Sequence, residues 1–270
     1  MKVLTIYAHP DPQSFCAAVR DRFLAGLREA GHQVELADLY AERFDPVFRP
    51  SDMAFFADES LPEEELEAMQ IRAKVIEQAG GPLRRMVARK WMGRKTSREV
   101  AGMIFRTRSK DVVREQARVA RADALALIAP VYWLGFPAIL KGWVERVFTY
   151  GFAYKLTASG RQGDIKGRIP LLRHRKALLM STTFFKQADY EHGLKDAMET
   201  VIDSWGFRYP GIKNVEHEYF WAVPSVDAAT RQQYLARAQE LGRDFAHGCG
   251  EPVSAAAPGA DRRSDPCPSL

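Results

Sequence analysis

The sequence predicts a doubly wound α/β fold, in which helices cover both faces of a five-stranded parallel sheet. Short apolar runs alternate with helical patterns, and turns rich in Gly or Pro separate them. The size and composition agree, since 270 residues with 46% hydrophobic and 27% charged side chains suit one large soluble domain. No apolar run reaches about eighteen residues, so we expect no membrane insertion. Three scattered cysteines indicate neither a disulfide framework nor a metal site and favour a cytoplasmic location.

Each predicted strand is a short apolar run. The runs lie at residues 2–8, 33–38, 124–129, 176–181 and 212–223. The third run is apolar throughout, which is typical of a strand that is covered on both faces in a parallel sheet.

The predicted helices lie between these strands or follow the last one. They span residues 14–30, 63–78, 137–150, 190–205 and 227–245. Gly31 ends the first helix, and Pro137 suits the first turn of the third. The second helix is highly charged and should be exposed, and Gly206 closes the fourth.

A basic stretch interrupts this alternation between the second and third strands. The insert covers about residues 80–112, and its basic side chains run from Arg84 to Lys110. It suits a solvated helical face or a flexible insert, a clamp for the phosphates of a nicotinamide dinucleotide, or a site for nucleic acid or an acidic partner. The net charge of +5 is mild, so we expect no nucleic acid. We expect residues 1–248 to form one domain and residues 249–270 a disordered tail.

Two large aromatic side chains follow the third strand. The connecting segment is Pro130, Val131, Tyr132, Trp133 and Leu134. Ligands of open α/β sheets bind at the carboxyl ends of the strands, and aromatic side chains there suit a flat ring. The alternative is that these aromatics pack in the core or at an interface.

The turn after the first strand leads into a helix N-terminus, whose free N–H groups and dipole favour an anion. His9 and Ser14 could donate to phosphate oxygens there, although no glycine-rich dinucleotide fingerprint is present. The alternative is that Ser14 only caps the helix and His9 only belongs to the turn. A reactive role for Cys16 is also open, because a helix N-terminus lowers a thiol pKa.

The loop after the fourth strand ends at the same edge of the predicted sheet. Its residues are Ser181, Thr182, Thr183, Phe184 and Phe185. The threonines offer hydroxyl groups, whereas the phenylalanines form either a pocket wall or part of the core. Farther along, Tyr190 and His192 are the candidates for handling protons.

These segments together resemble the flavin-dependent NAD(P)H:quinone oxidoreductases, a family with a flavodoxin-like fold. Residues 130–148 are similar to the loop and helix that wrap the isoalloxazine ring. Residues 9–16 resemble the His-x-x-x-x-Ser-Phe-Asn loop that holds the flavin diphosphate. Residues 152–154 match a Phe-Ala-Tyr segment of the substrate pocket near the subunit interface. The resemblance covers roughly residues 2–225 without the basic insert.

The resemblance assigns roles to individual residues. It implies that the following residues bind the flavin: His9, Ser14, Phe15, Cys16, Pro130, Val131, Tyr132, Trp133, Leu134, Thr182, Thr183 and Phe184. It implies that Tyr190 is catalytic and that Tyr154 lines the substrate pocket. His192 is the neighbouring candidate for the catalytic partner, and Phe185 is the candidate for a further part of the pocket wall.

Several positions depart from the family's pattern. Cys16 stands where the family usually has asparagine, and Phe184 and Phe185 replace two glycines. Phenylalanine does not favour positive φ, so we expect this loop to follow another path. Asp196 occupies the place of the family's catalytic histidine, and His192 lies nearby but out of register.

The resemblance implies the strand order 2-1-3-4-5 and a homodimeric enzyme that uses FAD, with FMN as the alternative. By a ping-pong mechanism, hydride would pass from NAD(P)H through flavin N5 to a quinone or similar small aromatic acceptor. The alternatives are an azo- or nitro-reductase on the same scaffold and a flavin-binding regulatory subunit of a membrane transporter.

Overall fold

The computed structural model describes residues 1–49, 52, 63–68, 70–106 and 109–249. Its strands, in chain order, are β1 (Lys2–Tyr7), β2 (Gln33–Asp38), β3 (Ala124–Pro130), β4 (Tyr154–Leu156), β5 (Arg168–Pro170), β6 (Ala177–Thr182) and β7 (Val215–Phe220). Five of them form one parallel sheet in the order β2-β1-β3-β6-β7. Because β6 and β7 are the fourth and fifth parallel strands along the chain, the predicted order 2-1-3-4-5 is confirmed. Strands β4 and β5 form a separate antiparallel pair that was not predicted.

The helices pack around this sheet. In chain order they are α1 (Phe15–Glu29), α2 (Glu63–Ala68), α3 (Ile71–Gln78), α4 (Pro82–Met92), α5 (Ser97–Arg106), α6 (Lys110–Arg121), α7 (Ala138–Val147), α8 (Ala158–Arg161), α9 (Leu194–Glu199) and α10 (Ala228–Arg243). Short 3₁₀ segments at Ile165–Gly167 and Gln187–Tyr190 and a π-helical segment at Thr200–Arg208 complete the described elements.

The central strand β3 is buried along its whole length, as the continuous apolar run predicts. Alternate side chains of the sheet point to opposite faces and form two cores. One core contains Trp143 of α7, and the other contains Phe23 of α1. Because the five strands are parallel, their carboxyl ends lie at one edge of the sheet, between the two layers of helices.

Helices α1 and α10 approach each other closely at two glycines. A Cβ atom at Gly26 would lie 2.0 Å from the carbonyl oxygen of Gln239, and one at Gly242 would lie 2.3 Å from that of Phe23. The Glu29 carboxylate also accepts hydrogen bonds from Gln239, at 2.7 Å, and from Arg243, at 2.8 Å. The helix that follows β1 is thus fixed to a helix about 200 residues later in the chain.

A buried arginine joins α7 to two preceding segments. The Arg146 side chain is 2% exposed; its Nε donates to Asp52 Oδ2 at 3.1 Å and its Nη1 to Asp111 Oδ2 at 2.9 Å. Burial alone would raise the pKa of Asp111, but hydrogen bonds from Ser109 and Arg146 outweigh it, and the pKa is lowered.

Several predicted helix boundaries are wrong. The helix predicted at 63–78 is interrupted at Gln70, whose φ of 53° ends one helix before the next begins. The helix predicted at 190–205 is a 3₁₀ turn, then α9, then the π-helical segment, because Gly193 adopts a φ of 87°.

The basic insert is helical rather than flexible where it is described. It forms α4 and α5, and its last residues belong to α6, which was not predicted. Three buried side chains of α6, at positions 112, 116 and 119, have the helical spacing that would have indicated it. The predicted disordered tail, residues 249–270, lies outside the described residues except for Cys249, so the proposed domain division stays a prediction.

Candidate active site

The N-terminus of α1 presents free backbone donors at the edge of the sheet. Ser14 is the N-cap, and its Oγ accepts the Ala17 N–H at 3.2 Å. The first N–H group that donates within the helix is that of Ala17, so the N–H groups of Phe15 and Cys16 stay available for another oxygen atom. The capping role that the sequence left open for Ser14 is therefore present, together with the geometry of an anion site.

His9 is oriented by its own turn. The Asp11 N–H donates to His9 Nδ1 at 3.0 Å, and the Asp11 carboxylate accepts the Gln13 N–H at 2.8 Å. The Asp11 carbonyl oxygen lies 3.1 Å from the same Nδ1, and the tautomer of His9 decides which of the two groups it pairs with. In the tautomer that accepts from the Asp11 N–H, the imidazole carries its proton on Nε2, where it can donate to a ligand.

Cys16 links the turn after β1 to the end of β6. Its side chain is 2% exposed and hydrogen-bonds to Thr182, and burial raises the pKa of the thiol to about 12. The thiol is therefore protonated at neutral pH, which argues against the reactive role that the helix N-terminus suggested.

The loop after β3 lies beside Cys16 and the end of β6. Partial burial raises the pKa of Tyr132, and the nearby Tyr40 and Cys16 add to this effect. The Val131 N–H donates to the Thr182 carbonyl oxygen at 2.9 Å. The loops that follow β1, β2, β3 and β6 therefore meet at one edge of the sheet, as the sequence predicted for three of them.

A tight turn presents Trp133 at this edge. Tyr132 and Gly135 exchange two backbone hydrogen bonds of 3.0 Å, and Trp133 and Leu134 between them have φ values of 49° and 59°. Positive φ is unfavourable for residues other than glycine, and such strain concentrates at functional sites. The Trp133 side chain is fully exposed, and Pro130 beneath it is buried. The alternative in which Trp133 packs in the core is wrong.

The loop after β6 uses one of its hydroxyl groups internally. Thr183 Oγ1 donates to the Phe185 carbonyl oxygen at 2.8 Å and accepts the Ala222 N–H at 3.0 Å. Phe184 and Phe185 are 67% and 58% exposed, their rings contact each other, and neither has positive φ. The core alternative for the phenylalanines is wrong, and the Thr183 hydroxyl already has two partners.

The two proton-handling candidates lie in different environments. Tyr190 is 3% exposed, its ring lies 5.1 Å from that of Trp221, and burial, followed by Asp189, raises its pKa. His192 lies exposed in the turn before α9. The structure shows no Tyr190–His192 hydrogen bond among the described residues, so it does not reproduce the family's pair.

Tyr154 lies in a separate cleft. This cleft has a volume of about 500 Å³. Its aromatic lining residues are Phe48, Phe148, Tyr154, Trp205 and Tyr209. None of its lining residues belongs to the loops after β3 and β6, so the structure does not bring Tyr154 together with Phe185.

A buried polar cluster beside these loops was not predicted. We define the His217 cluster as Ser181, Asp203, His217 and Tyr219. Ser181 Oγ lies 2.8 Å from His217 Nε2, and both Asp203 Oδ1 and the Tyr219 hydroxyl lie 3.0 Å from His217 Nδ1. The Asp203 carboxylate accepts the Nδ1 proton, which leaves Nε2 to accept from Ser181.

The connectivity of the His217 cluster is that of a Ser-His-Asp triad, but its location is different. Ser181 is 5% exposed and lies within β6, so no substrate carbonyl group can reach its hydroxyl. The one available signal was the polar run Glu216, His217 and Glu218 in a strand predicted to be apolar. Burial is also the main cause that raises the pKa of Tyr219.

A column of stacked rings leads from this cluster to Tyr190. The His217 and Tyr219 rings stack with centroids 4.0 Å apart, and the Tyr219 and Trp221 rings stack at 4.7 Å. The Tyr190 ring contacts that of Trp221 in a tilted arrangement, with centroids 5.1 Å apart. The His217 cluster therefore fixes the side chains against which Tyr190 is held.

Two further properties concern the part of the chain that the structure describes. None of its helices combines the length and the apolar character needed to cross a bilayer. No group of three or more His, Cys, Asp or Glu side chains in these residues could hold a metal ion.

Comparisons with known proteins agree with this architecture. A family model described as having a flavodoxin-like fold matches residues 1–241. The NAD(P)H dehydrogenase [quinone] 1 of Cavia porcellus is 29% identical over 239 residues, which are 87% of this chain and 74% of that protein. The NAD(P)H:quinone oxidoreductase structure from Methanothermobacter marburgensis is 29% identical, with a TM-score of 0.63 over 92% of this chain and 98% of the other.

A more distant structure shares the fold alone. It is an FMN-dependent NADH-azoreductase from Bacillus anthracis in complex with FMN, 16% identical, with a TM-score of 0.60 over 91% of this chain and 99% of the other. The family match covers most of the chain and agrees with the observed strand order. The chain therefore belongs to the flavodoxin-like family and is an enzyme related to the NAD(P)H dehydrogenases [quinone].

Proposed function

We propose that this enzyme is a flavin-dependent NAD(P)H:quinone oxidoreductase that transfers two electrons to a quinone by a ping-pong mechanism. The observation that carries the proposal is the meeting of the loops after β1, β3 and β6, where Cys16 contacts Thr182 and approaches Tyr132. This junction combines free backbone donors with an exposed aromatic turn at the edge where α/β sheets bind ligands.

The residues at the junction fit the phosphate end of a flavin nucleotide. The N–H groups of Phe15 and Cys16 and the Nε2 proton of His9 supply donors beside the positive end of the α1 dipole. The Ser14 oxygen accepts the Ala17 N–H and so caps the helix, and its own O–H can still donate to a phosphate oxygen. Cys16 contributes through its backbone, because its thiol is buried.

The residues also fit a flat ring. The turn presents Tyr132, Trp133 and Leu134 with exposures of 42%, 102% and 45%, and two backbone hydrogen bonds hold it in its strained form. Thr182 is the last residue of the neighbouring strand β6, and Phe184 lies in the loop that follows it. Thr183 supports the loop rather than the ligand, because its hydroxyl holds Phe185 and Ala222.

When bound, the flavin accepts a hydride from NAD(P)H and returns it to the acceptor, and this chemistry belongs to the cofactor. The protein positions the two substrates in turn and excludes water with the exposed aromatic turn. Tyr190 keeps its proton at neutral pH because its pKa is raised, so its role would be to donate a hydrogen bond where negative charge develops. His192 is the second candidate for this role, because it lies in an exposed turn that a substrate can reach.

The finer assignments belong to the same proposal. We expect FAD, with FMN as the alternative, and a cytoplasmic homodimer. Tyr154 and Phe185 lie apart within one chain, so a substrate pocket that includes both requires residues from two subunits. The aromatic cleft around Tyr154 and the exposed Trp205 beside it are compatible with a subunit interface near the pocket.

The decisive experiment is visible absorption of the purified protein, before and after anaerobic NADPH and then with a quinone. A yellow protein that bleaches and recovers supports the proposal, and chromatography of the released cofactor distinguishes FAD from FMN. A protein that binds neither flavin when it is supplied would contradict it.

Site-directed variants test the placement of the ring. Trp133→Ala should weaken flavin binding about fivefold, because stacking contributes of order 1 kcal/mol. Trp91→Ala, an exposed tryptophan on α4, is the matched control and should leave flavin binding unchanged. Equal losses in both variants would contradict the assignment of the 132–135 turn.

The same turnover assay separates the alternatives. Faster turnover of azo or nitro compounds than of quinones would make the enzyme a reductase of those groups. A protein that binds flavin but turns over no acceptor, and co-purifies with a membrane transporter, would be a regulatory subunit.

A further inference from the structure

Helix α4 exposes its apolar side chains to solvent. Leu83, Met86, Val87 and Trp91 are 69%, 61%, 60% and 50% exposed, and we call these four residues the α4 stripe. Their spacing places them on one side of the helix. Met92 is 5% exposed and packs with Ile71 and Val100, so the helix rests on the protein by another face.

The surroundings of the stripe are strongly basic. Between Glu77 and Glu99 the chain contains seven Lys or Arg residues and no Asp or Glu. Four of them lie on α4 itself and are exposed: Arg84, Arg85, Arg89 and Lys90. The Lys95 ammonium group also lies 5.1 Å from the centre of the Trp91 ring.

The helix is preformed. Pro82 occupies its first turn, and the Gly93 N–H donates to the Arg89 carbonyl oxygen at 3.0 Å. Arg72 of α3 donates to the Lys95 carbonyl oxygen at 3.2 Å, just beyond its end. The stripe is therefore presented by an anchored helix.

The positive charge around the α4 stripe indicates which kind of partner would cover it. A second copy docked symmetrically through α4 would bring two sets of seven positive charges together, which is unfavourable. Nucleic acid would match the charge but would leave the four apolar side chains exposed. An amphipathic helix with an apolar face flanked by Lys and Arg, and with a Trp, has the composition of helices that lie in the interface of an anionic bilayer.

We propose that α4 docks the protein on anionic lipid bilayers, with the stripe at the boundary between headgroups and acyl chains. The basic side chains contact the lipid phosphates, and none of the helices that the structure describes crosses the membrane. The proposal rests on the proposed function in one respect. If the enzyme reduces quinones, docking on a bilayer implies that its acceptor is a quinone dissolved in that bilayer.

The test is flotation of the full chain with phosphatidylcholine vesicles, with and without phosphatidylglycerol. We expect binding to the mixed vesicles to be at least about tenfold tighter and to weaken as salt is raised. The double variant Met86→Ser, Val87→Ser should lose at least about tenfold in binding to mixed vesicles, and so should Arg84→Glu, Arg85→Glu. Ile165→Ser, at an apolar position 55% exposed elsewhere, is the control and should bind as the wild type does.

Three results would overturn the proposal. The first is failure of the wild type to float with the mixed vesicles, and the second is equal flotation of the serine variant. The third is tighter binding of the wild type to duplex DNA than to these vesicles, with no effect of the serine variant. The flotation assay requires neither cofactor nor turnover, and the serine variant should reduce a water-soluble quinone at the wild-type rate. Failure of lipid docking and failure of the proposed activity are therefore separate outcomes.

Discussion

The His217 cluster and the α4 stripe both depart from the usual distribution of side chains, in which polar groups lie at the surface and apolar groups lie in the interior. The cluster buries Asp203 and His217 in the core, whereas the stripe exposes Leu83 and Met86 to water. Each polar atom named in the cluster has a hydrogen-bond partner within 3.0 Å. The stripe has no comparable internal compensation among the described residues.

The two features differ in what offsets their cost in free energy. Buried polar groups are tolerated when neighbouring protein groups satisfy them, so the His217 cluster is complete within the folded chain. Exposed apolar surface is tolerated at low cost but indicates an external partner when it is contiguous. Substitutions should therefore destabilise the protein at buried polar sites and leave its stability unchanged at the stripe.

Arg146→Leu should have the largest effect, because it leaves Asp52 and Asp111 without their buried counter-ion. We expect a loss of about 3–5 kcal/mol in the free energy of unfolding, measured by urea denaturation. Lys141→Leu is the control on the same helix, since its ion pair with Glu145 is exposed and contributes little. An equal loss in the two variants would contradict the importance of burial.

The Arg146 effect should also depend on pH. The lowered pKa of Asp111 contributes stability above its unfolded-state pKa of about 3.9, and this contribution disappears as pH falls through the folded-state value. The difference between Arg146→Leu and the wild type should therefore shrink in acid. A difference that is constant down to that range would mean that Arg146 acts through packing.

Asp203→Leu should have an intermediate effect, because it leaves the Nδ1 proton of His217 without its carboxylate acceptor. We expect a loss of about 1–3 kcal/mol on urea denaturation. Thr200→Leu, at an exposed position of the same π-helical segment, should change stability by less than about 0.5 kcal/mol. If Asp203→Leu were neutral, the His217 cluster would not be a stabilising feature.

Leu134→Gly should stabilise the protein, because it removes the strain of a positive φ in the aromatic turn. The left-handed conformation costs a non-glycine residue about 1–2 kcal/mol, and the added freedom of glycine offsets part of that gain. A net increase of up to about 1 kcal/mol should appear in thermal unfolding. Leu134→Ala keeps the strain and should give no increase, so stabilisation by both variants would contradict this explanation.

The serine variant of the α4 stripe should have the smallest effect on stability. Replacing two exposed apolar side chains should change the free energy of unfolding by less than about 0.5 kcal/mol. Urea denaturation checks this expectation beside the vesicle assay. A loss comparable to that of Asp203→Leu would mean that the stripe is packed against the protein in solution.

The sequence predicted the sheet well because its signals are local. Strands β1, β3 and β6 are largely apolar runs, and β2 was predicted with its observed bounds, Gln33–Asp38. Strands β4 and β5 have three residues each and carry too little pattern to detect. The break at Gln70 was missed because nothing in the residue itself requires a positive φ.

The site was predicted only as far as chain connectivity allows. The loops at the strand ends were expected to meet because parallel strands share an edge, but their side-chain partners depend on tertiary contacts. Ser181 and His217 are 36 positions apart, and only the register of β6 against β7 brings them together. Likewise, the basic composition of α4 was evident, whereas the outward direction of its apolar residues depends on which face Met92 anchors.

The contact of α1 with α10 has a consequence for the order in which the enzyme matures. Gly26 and Gly242 let the two helices touch, although about 200 residues separate them in the chain. During synthesis, the N-terminal strand and its helix emerge first but cannot complete their packing until residues 228–243 have left the ribosome. The helix whose N-terminus is the candidate phosphate site is thus among the first elements to be made and the last to be fixed. Nascent chains that stop short of α10 should therefore be unable to retain a nucleotide cofactor.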